Sequence, residues 1–213
     1  MHITTDTLRL GAGSTTLRAA TWAPHIQRAC QIFEINTPAR VAAFIAQIGH
    51  ESGHLVYVRE LWGPTSAQAT YERDFAAPWV HLVGGQRHRN TKPFDLGNHR
   101  AGDGHYYLGR GLIQTTGRAN YAATRDGLRQ HLPNVPNFEA DPVALEQMDW
   151  ASLSATWFWH SRGLNALADA GNFGAITRKI NGGVNGLAER LALWAKAKDA
   201  LEVAAKCIPF CWP

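Results

Sequence analysis

The apolar positions of the chain are most regular between Thr37 and Glu51, where their spacing predicts an amphipathic helix over residues 38–52. Thr37 suits the N-cap, and Pro38 suits the first helical turn. One face of the helix then carries the apolar side chains of Val41, Phe44, Ile45 and Ile48. Glu51 takes the next position on this face. Because it continues a buried stripe, we expect its carboxyl group to be partly desolvated, which favours the protonated form of a general acid.

Helical spacing recurs along most of the chain and predicts a mainly α-helical fold with little β structure. Two short helices are predicted within residues 1–36, and further helices over residues 119–128, 141–163, 172–180 and 187–205. Residues 53–110 are irregular and rich in Gly, Pro, Asn and His, with a short helix at 66–71 and the best strand signal at 55–58. Loops of this length are usually functional, so we expect them to border an active site.

Length and composition predict one catalytic domain over residues 1–213, with a core at about 37–198, N-terminal helices at 1–36 and a C-terminal tail at 206–213. The formal charge of +4 and the pI near 9.1 predict mild attraction to anionic surfaces such as bacterial envelopes. Lys and Arg do not cluster with interleaved aromatic residues, so nucleic-acid binding is not predicted. We expect the protein to act as a monomer.

Targeting signals and cysteine usage bear on where the protein is made. The N-terminus lacks a basic start followed by an apolar run, and no stretch has the apolar length of a membrane span. The expectation is therefore synthesis in the cytoplasm without a signal peptide, no membrane insertion, and any export by another route. Three cysteines are too few for a disulfide framework, although Cys207 and Cys211 could pair in an oxidising compartment.

Glu60 supplies a second carboxylate beyond the end of the predicted helix. Two carboxylates in different surroundings can divide the acid and base roles of glycoside hydrolysis. Residues 106–121 (YYLGRGLIQTTGRANY) add neutral groups that suit hydroxyl and acetamido groups, and rings that suit sugar faces. These side chains are Gln114, Thr116 and Asn120, and the rings of Tyr106, Tyr107 and Tyr121. A tight turn stabilised by its own polar side chains explains the same segment equally well.

A competing interpretation comes from residues 50–54 (HESGH), which match the zinc-metalloprotease pattern H-E-x-x-H. That pattern requires a continuous helix with both histidines on one face. Gly53 more often ends a helix than continues one, and Glu72 and His81 are only weak candidates for a third ligand. We therefore predict no metal and no cofactor, and keep a zinc peptidase of the cell wall as an alternative.

Three motifs together resemble glycoside hydrolase family 19, and more closely its compact phage-endolysin and bacterial lytic branch. They are AAFIAQIGHESG, YLGRGLIQTTGRANY and KINGGVNGLAER, in the order of the family, and the resemblance covers about residues 37–198. It implies a lysozyme-like α-helical fold with a cleft between two lobes. It also implies hydrolysis with inversion at the anomeric carbon.

The resemblance implies roles for individual residues. Glu51 matches the general acid, Glu60 the general base of the short-loop branch, and Thr116 the residue that helps to hold the nucleophilic water. The predicted substrate-binding residues are Gln114, Asn120, Tyr121 and Asn181 from the resemblance, and Tyr107 from the residue pattern. Arg190, grouped with them, matches an arginine that pairs with the catalytic carboxylates. Asn185 stands where plant chitinases have a glutamate, so the charge network around the base is expected to differ.

These observations predict an endolysin-type enzyme that cleaves β-1,4 bonds between N-acetylated hexosamines of bacterial peptidoglycan. Its partners would be peptidoglycan glycan strands, which it would reach through a holin or after cell lysis. Chitin has the same backbone chemistry, so a chitinase acting on chitin oligomers is the nearest alternative. A non-catalytic sugar-binding module is a further alternative, which the two glutamates disfavour.

Overall fold

A computed structural model describes residues 1–206, except for the side chains of residues 205 and 206. The α-helices are α1 (Thr5–Gly11), α2 (Thr16–Ile32), α3 (Pro38–Glu51), α4 (Ser66–Ala69), α5 (Thr91–Leu96), α6 (Asp103–Tyr106), α7 (Arg118–Arg129), α8 (Met148–Ser161), α9 (Leu164–Asp169), α10 (Phe173–Asn181) and α11 (Leu187–Lys206). A 3-10 helix (Pro142–Glu146) precedes α8. The fold is 57% helical, which confirms the prediction of a mainly α-helical fold. Cys207 and Cys211 lie outside the described residues.

The predicted helix that carries Glu51 is α3, which lies in the centre of the main core. Its N-cap is Thr37, whose hydroxyl accepts a hydrogen bond from the backbone N–H of Arg40 (3.3 Å). The predicted apolar stripe is 0–1% exposed at Val41, Phe44, Ile45 and Ile48. The helix packs against α1, α9 and α11 and ends at Glu51. Packing of the stripe therefore brings this carboxyl group to the edge of the core.

The buried apolar side chains form two hydrophobic cores. The first is formed mainly by α1–α3 and α8–α11, and we call this part the helical lobe. The second packs side chains of residues 107–145 against α2 and α8, and we call residues 60–140 the loop lobe. Its largest buried rings are those of Phe33, Tyr107, Tyr121 and Phe138. None of the described helices combines the length and the apolar character needed to cross a bilayer.

Residues 55–58 do not form the predicted strand. His54 and Leu55 have φ angles of +66° and +64°, in the left-handed region, where a strand cannot continue. The carbonyl of Ser52 accepts hydrogen bonds from the backbone N–H groups of Val56 (3.0 Å) and Tyr57 (2.8 Å). A tight turn thus uses the backbone groups that a strand would pair, and this outweighs the β propensity of the valines.

Buried polar side chains organise the loop lobe in place of a sheet. Asn90 is fully buried, and its amide donates to backbone carbonyls in the segment 74–78 at 2.8–3.1 Å. Asp103 in α6 accepts two hydrogen bonds from the guanidinium of Arg118 in α7 (2.6 and 3.0 Å). The helices α5 and α6, which the sequence pattern did not predict, are anchored in this way.

Candidate active site

Glu51 lies at the C-terminal end of α3, with its side chain 21% exposed. Its Oε1 accepts a hydrogen bond from Nη2 of Arg190 (2.5 Å), so the two side chains form an ion pair. Among the described residues, Oε2 of Glu51 has no hydrogen-bond partner. One carboxyl oxygen is therefore held in place, and the other is available to a ligand.

Arg190 is 1% exposed and belongs to the first turns of α11. Its Nη1 donates to Oε1 of Gln47, and its Nε donates to the backbone carbonyl of Asn185 (3.3 Å). Gln47 is fully buried in α3 and donates in turn to the hydroxyl of Thr177 in α10 (2.8 Å). The guanidinium thus ties three helices together. Its Nε, Nη1 and Nη2 atoms each donate a hydrogen bond, which offsets the cost of burying these polar groups.

Glu60 lies in the loop lobe, and neutral groups hold it. Its Oε2 accepts from the backbone N–H of Gly109 (3.0 Å), and its Oε1 accepts from Nε2 of Gln68 (3.0 Å). The hydroxyl of Tyr71 also donates to Oε1 (3.4 Å). Burial and then the Glu60 carboxylate raise the pKa of the Tyr71 phenol, which keeps this hydroxyl protonated as a donor. Hydrogen bonds of this kind favour the ionised form of a carboxylate.

The turn that presents Gly109 to Glu60 packs closely against Gln114. Arg110 and Thr115 exchange backbone hydrogen bonds (3.1 and 2.7 Å), which folds the segment back on itself. The side chain of Gln114 then lies over Gly109, and a β-carbon at residue 109 would lie 2.4 Å from its Oε1. Gln114 is half-buried beside this turn, so the structure brings it close to Glu60, as the predicted site requires.

Three other predicted residues make only local contacts or none. Asn120 is exposed, and its side-chain amide donates to the backbone carbonyl of Thr116 (2.7 Å). Thr116 is half-buried, and its hydroxyl has no hydrogen-bond partner within residues 1–206. Asn181 donates to the carbonyl of Asn185 (3.3 Å), the same carbonyl that Arg190 uses. Their assigned roles in water and substrate binding stay predictions.

The prediction that Tyr107 and Tyr121 offer ring faces to sugars is wrong, because both are buried. Tyr107 is 1% exposed, and its hydroxyl donates to the carbonyl of Glu139 (2.8 Å). Tyr121 is fully buried and donates to the carbonyl of Leu108 (2.6 Å). Arg190, at 1% exposure, also cannot contact a substrate, and it acts on the site through Glu51.

An open groove of about 450 Å³ runs along residues 56–62 and includes Glu60. Tyr57 is 47% exposed in it, and Trp62 is partly exposed with its ring packed against that of His105 (4.9 Å between centroids). These rings are available to a sugar, unlike the two buried tyrosines. The sequence pattern missed Gln68 and Tyr71 as partners of Glu60, although the capping pair of Thr65 and Gln68 marks the short helix α4.

The backbone does not fit the zinc-peptidase alternative. Because α3 ends before His54, which has a φ of +66°, His50 and His54 do not share a helical face. Instead Nδ1 of His50 and Nε2 of His54 lie 2.9 and 3.5 Å from the two oxygens of Glu189. Glu72 accepts backbone hydrogen bonds, and His81 pairs with an aspartate, so both lie in other contacts. In the part of the chain that the structure describes, no three His, Cys, Asp or Glu side chains are arranged to hold a metal ion.

Comparison with known proteins shows the family of the chain. A glycosyl hydrolase family 19 domain-containing protein of Haemophilus influenzae is 33% identical over 163 residues, which are 72% of this chain and 76% of the relative. The chain belongs to glycoside hydrolase family 19. An endochitinase of Arabidopsis thaliana is 32% identical over 143 residues, which are 67% of this chain but only 39% of that relative. No family model matches the chain.

Solved structures agree with this family. A bacterial family 19 chitinase has a TM-score of 0.64 at 20% identity, over 93% of this chain and 94% of the other. Chitinase C from Streptomyces griseus has a TM-score of 0.61 at 21% identity, over 94% and 76% of the two chains. They confirm the lysozyme-like family 19 fold. As a member of the family, the protein is a glycoside hydrolase.

Proposed function

We propose that this family 19 glycoside hydrolase cleaves the β-1,4-linked glycan of bacterial peptidoglycan by an inverting mechanism, with Glu51 as general acid and Glu60 as general base. The observation that carries the catalytic part is the contrast between their partners. Glu51 contacts a buried cation, whereas Glu60 contacts three neutral donors. Oε2 of Glu51, which no described residue binds, can give a proton to a bound glycan, and the Arg190 cation then stabilises the carboxylate that remains.

Glu51 delivers a proton to the leaving glycosidic oxygen in this proposal. Arg190 restrains Oε1, so Oε2 is the oxygen that carries the proton toward the sugar. Negative charge develops on the carboxyl group as the proton leaves. A guanidinium that is already in place stabilises that charge without having to reorganise, which lowers the barrier.

Glu60 accepts the proton of the attacking water. The donors from Gly109, Gln68 and Tyr71 hold its carboxylate in a fixed orientation. An inverting reaction needs the two carboxyl groups roughly 6.5–9.5 Å apart, so that a water fits between Glu60 and the sugar. The free hydroxyl of Thr116 is the proposed second contact of this water.

The choice of peptidoglycan rests on charge. The chain has a formal charge of +4 at pH 7 and a pI near 9.1. Peptidoglycan carries carboxylates on its peptides, whereas chitin is uncharged. A protein with net positive charge attracts anionic peptidoglycan and so raises its local concentration, whereas uncharged chitin is not attracted in this way.

Chitin is the second candidate, because the curated plant relatives are endochitinases and the similar solved structures are chitinases. Both polymers would be cleaved by the same two carboxyl groups. The difference between the candidates therefore lies in the parts of the substrate next to the cleaved bond.

The test is to digest purified peptidoglycan and chitin oligomers, with and without EDTA, and to identify the new ends by mass spectrometry. We expect new reducing sugars from peptidoglycan that persist in EDTA, and inverted anomers by NMR immediately after cleavage. Cleavage of chitin alone would contradict the peptidoglycan assignment. New amino groups that EDTA abolishes would contradict the glycosidase mechanism.

A further inference from the structure

A second groove adjoins the groove that Glu60 lines, and the proposed reaction does not use it. It measures about 450 Å³ and shares Val56 and Val58 with the first groove. Its other wall is the first half of α2, which contributes Leu17, Arg18 and Trp22. We call it the Arg18 groove. A glycan bound along residues 56–62 would pass its mouth, so a substituent on that glycan could enter it.

Arg18 gives this groove an uncompensated positive charge. Among the described residues, no carboxylate forms an ion pair with it. Its Nη1 donates a long hydrogen bond to the backbone carbonyl of His54 (3.5 Å). The other charged residue of the groove, Glu146, is bound by Arg110, whose Nε lies 2.7 Å from its Oε1. Arg110 is buried and therefore neutralises Glu146 from inside the protein.

Apolar side chains border the same cation. Leu17 is 80% exposed and Val56 is 46% exposed, and Met148 lines the groove beside them. A surface that combines a free guanidinium with exposed apolar groups suits a ligand with a carboxylate and methyl groups. A planar guanidinium binds a carboxylate through two parallel hydrogen bonds, which adds geometric specificity.

We propose that the Arg18 groove is a subsite for the lactyl-peptide substituent of peptidoglycan, with Arg18 binding a carboxylate of that substituent. Leu17 and Val56 contact its methyl groups. This inference rests on the proposed function and deepens it, because the substituent is what distinguishes peptidoglycan from chitin. The groove is then a determinant of specificity and takes no part in bond cleavage.

The test is to measure KM and kcat of wild type and Arg18→Gln on soluble muropeptide chains and on chitin oligomers of equal length. We expect the ratio of the muropeptide KM to the chitin KM to rise about fivefold, the effect of losing one partly exposed ion pair, with kcat unchanged. Arg18→Lys keeps the charge and should restore part of the ratio. Arg28→Gln is the matched control, because Arg28 lies on the same helix, 58% exposed, and does not line this groove.

In intact peptidoglycan the lactyl carboxyl group is in amide linkage to the peptide, so the carboxylate that Arg18 binds belongs to the peptide. Glycan strands freed of peptide by an amidase lack that carboxylate, and Arg18→Gln should raise their KM less than it raises the muropeptide KM. An unchanged KM ratio, or an equal rise on chitin, would overturn the proposal.

Failure of the proposed function gives a different result. If wild type cleaves no muropeptide, binding of a muramyl peptide to the Glu51→Gln variant is measured by calorimetry with and without Arg18→Gln. Binding that depends on Arg18 supports the subsite even then, and its absence overturns it.

Discussion

The two carboxyl groups of the site lie in regions that are built differently. Glu51 ends a long helix, and side chains from three helices converge on it through the buried Arg190. Glu60 lies in a segment without regular structure, and its partners come from a short helix and a glycine turn. The helical lobe thus supplies a fixed charge, and the loop lobe supplies fixed neutral donors.

In the proposed mechanism, this difference divides the acid and base roles between two carboxyl groups of one site. A cation next to Glu51 stabilises the charge that appears when its proton leaves, so its contribution grows during the reaction. Neutral donors around Glu60 stabilise a charge that is present from the start. The four predictions below test this contrast, from the largest expected effect to the smallest.

Removing the acid should have the largest effect on rate. Glu51→Gln cannot donate a proton, and we expect kcat/KM to fall roughly 10²–10⁴-fold on whichever glycan the wild type cleaves. Glu60→Gln should fall within the same range, because the water then lacks its base. Glu202→Gln is a control, since Glu202 is exposed on α11. If Glu51→Gln cleaved the glycan at the wild-type rate, Glu51 would not be the general acid.

Removing the buried cation should have the largest effect on stability. Arg190→Met leaves Gln47 and the Glu51 carboxylate without their shared partner, and we expect a loss of about 3–5 kcal/mol in the free energy of unfolding. Urea denaturation at pH 7 measures it, with Arg178→Met, an exposed arginine on α10, as control. A loss below about 1 kcal/mol would show that the pair behaves as a surface ion pair.

The loop lobe has its own charged anchor, which makes its stability depend on pH. Burial alone would raise the pKa of Asp103, but hydrogen bonds from Arg118 and from the backbone of Arg100 outweigh it and lower that pKa below 3.8. Because the folded pKa lies below the unfolded one, the stabilisation is present above pH 3.8 and is lost as the pH falls through the folded pKa.

Asp103→Asn should therefore destabilise the protein by about 2 kcal/mol at neutral pH. Thermal unfolding of both proteins from pH 7 to pH 2 checks this, and the two stability curves should converge at the acidic end. A difference that persists unchanged at pH 2 would mean that the aspartate stabilises the lobe by packing and not by its charge.

The smallest effect is expected at the neutral support of Glu60. Gln68→Met removes one of its three donors, together with the hydrogen bonds of the Gln68 amide to the backbone of residues 61–65, so we expect about 1–2 kcal/mol of stability to be lost. Urea denaturation at pH 7 measures this loss. Gln130→Met, at an exposed position after α7, should leave the stability unchanged.

The sequence by itself determined the features that depend on neighbours within one element. The spacing of apolar residues, the cap at Thr37 and the glycine after Ser52 predict where α3 begins and ends, and so place Glu51 at the edge of the core. These signals are local, because a helix brings residues three and four apart onto one face. The three motifs likewise indicated the family, because they occur along the sequence in the order that the family has.

The burial of particular polar and aromatic groups was seen first in the folded molecule. Tyr107 and Tyr121 lie in a segment whose composition suggested a sugar-binding surface, but both are buried in the second core. Burial is possible there because each hydroxyl donates to a backbone carbonyl. Gln68 and Tyr71 contact Glu60 because a loop folds back on itself, and no periodicity reports such a contact. Burial and long-range hydrogen bonds depend on how distant segments pack, which is information that local spacing does not contain.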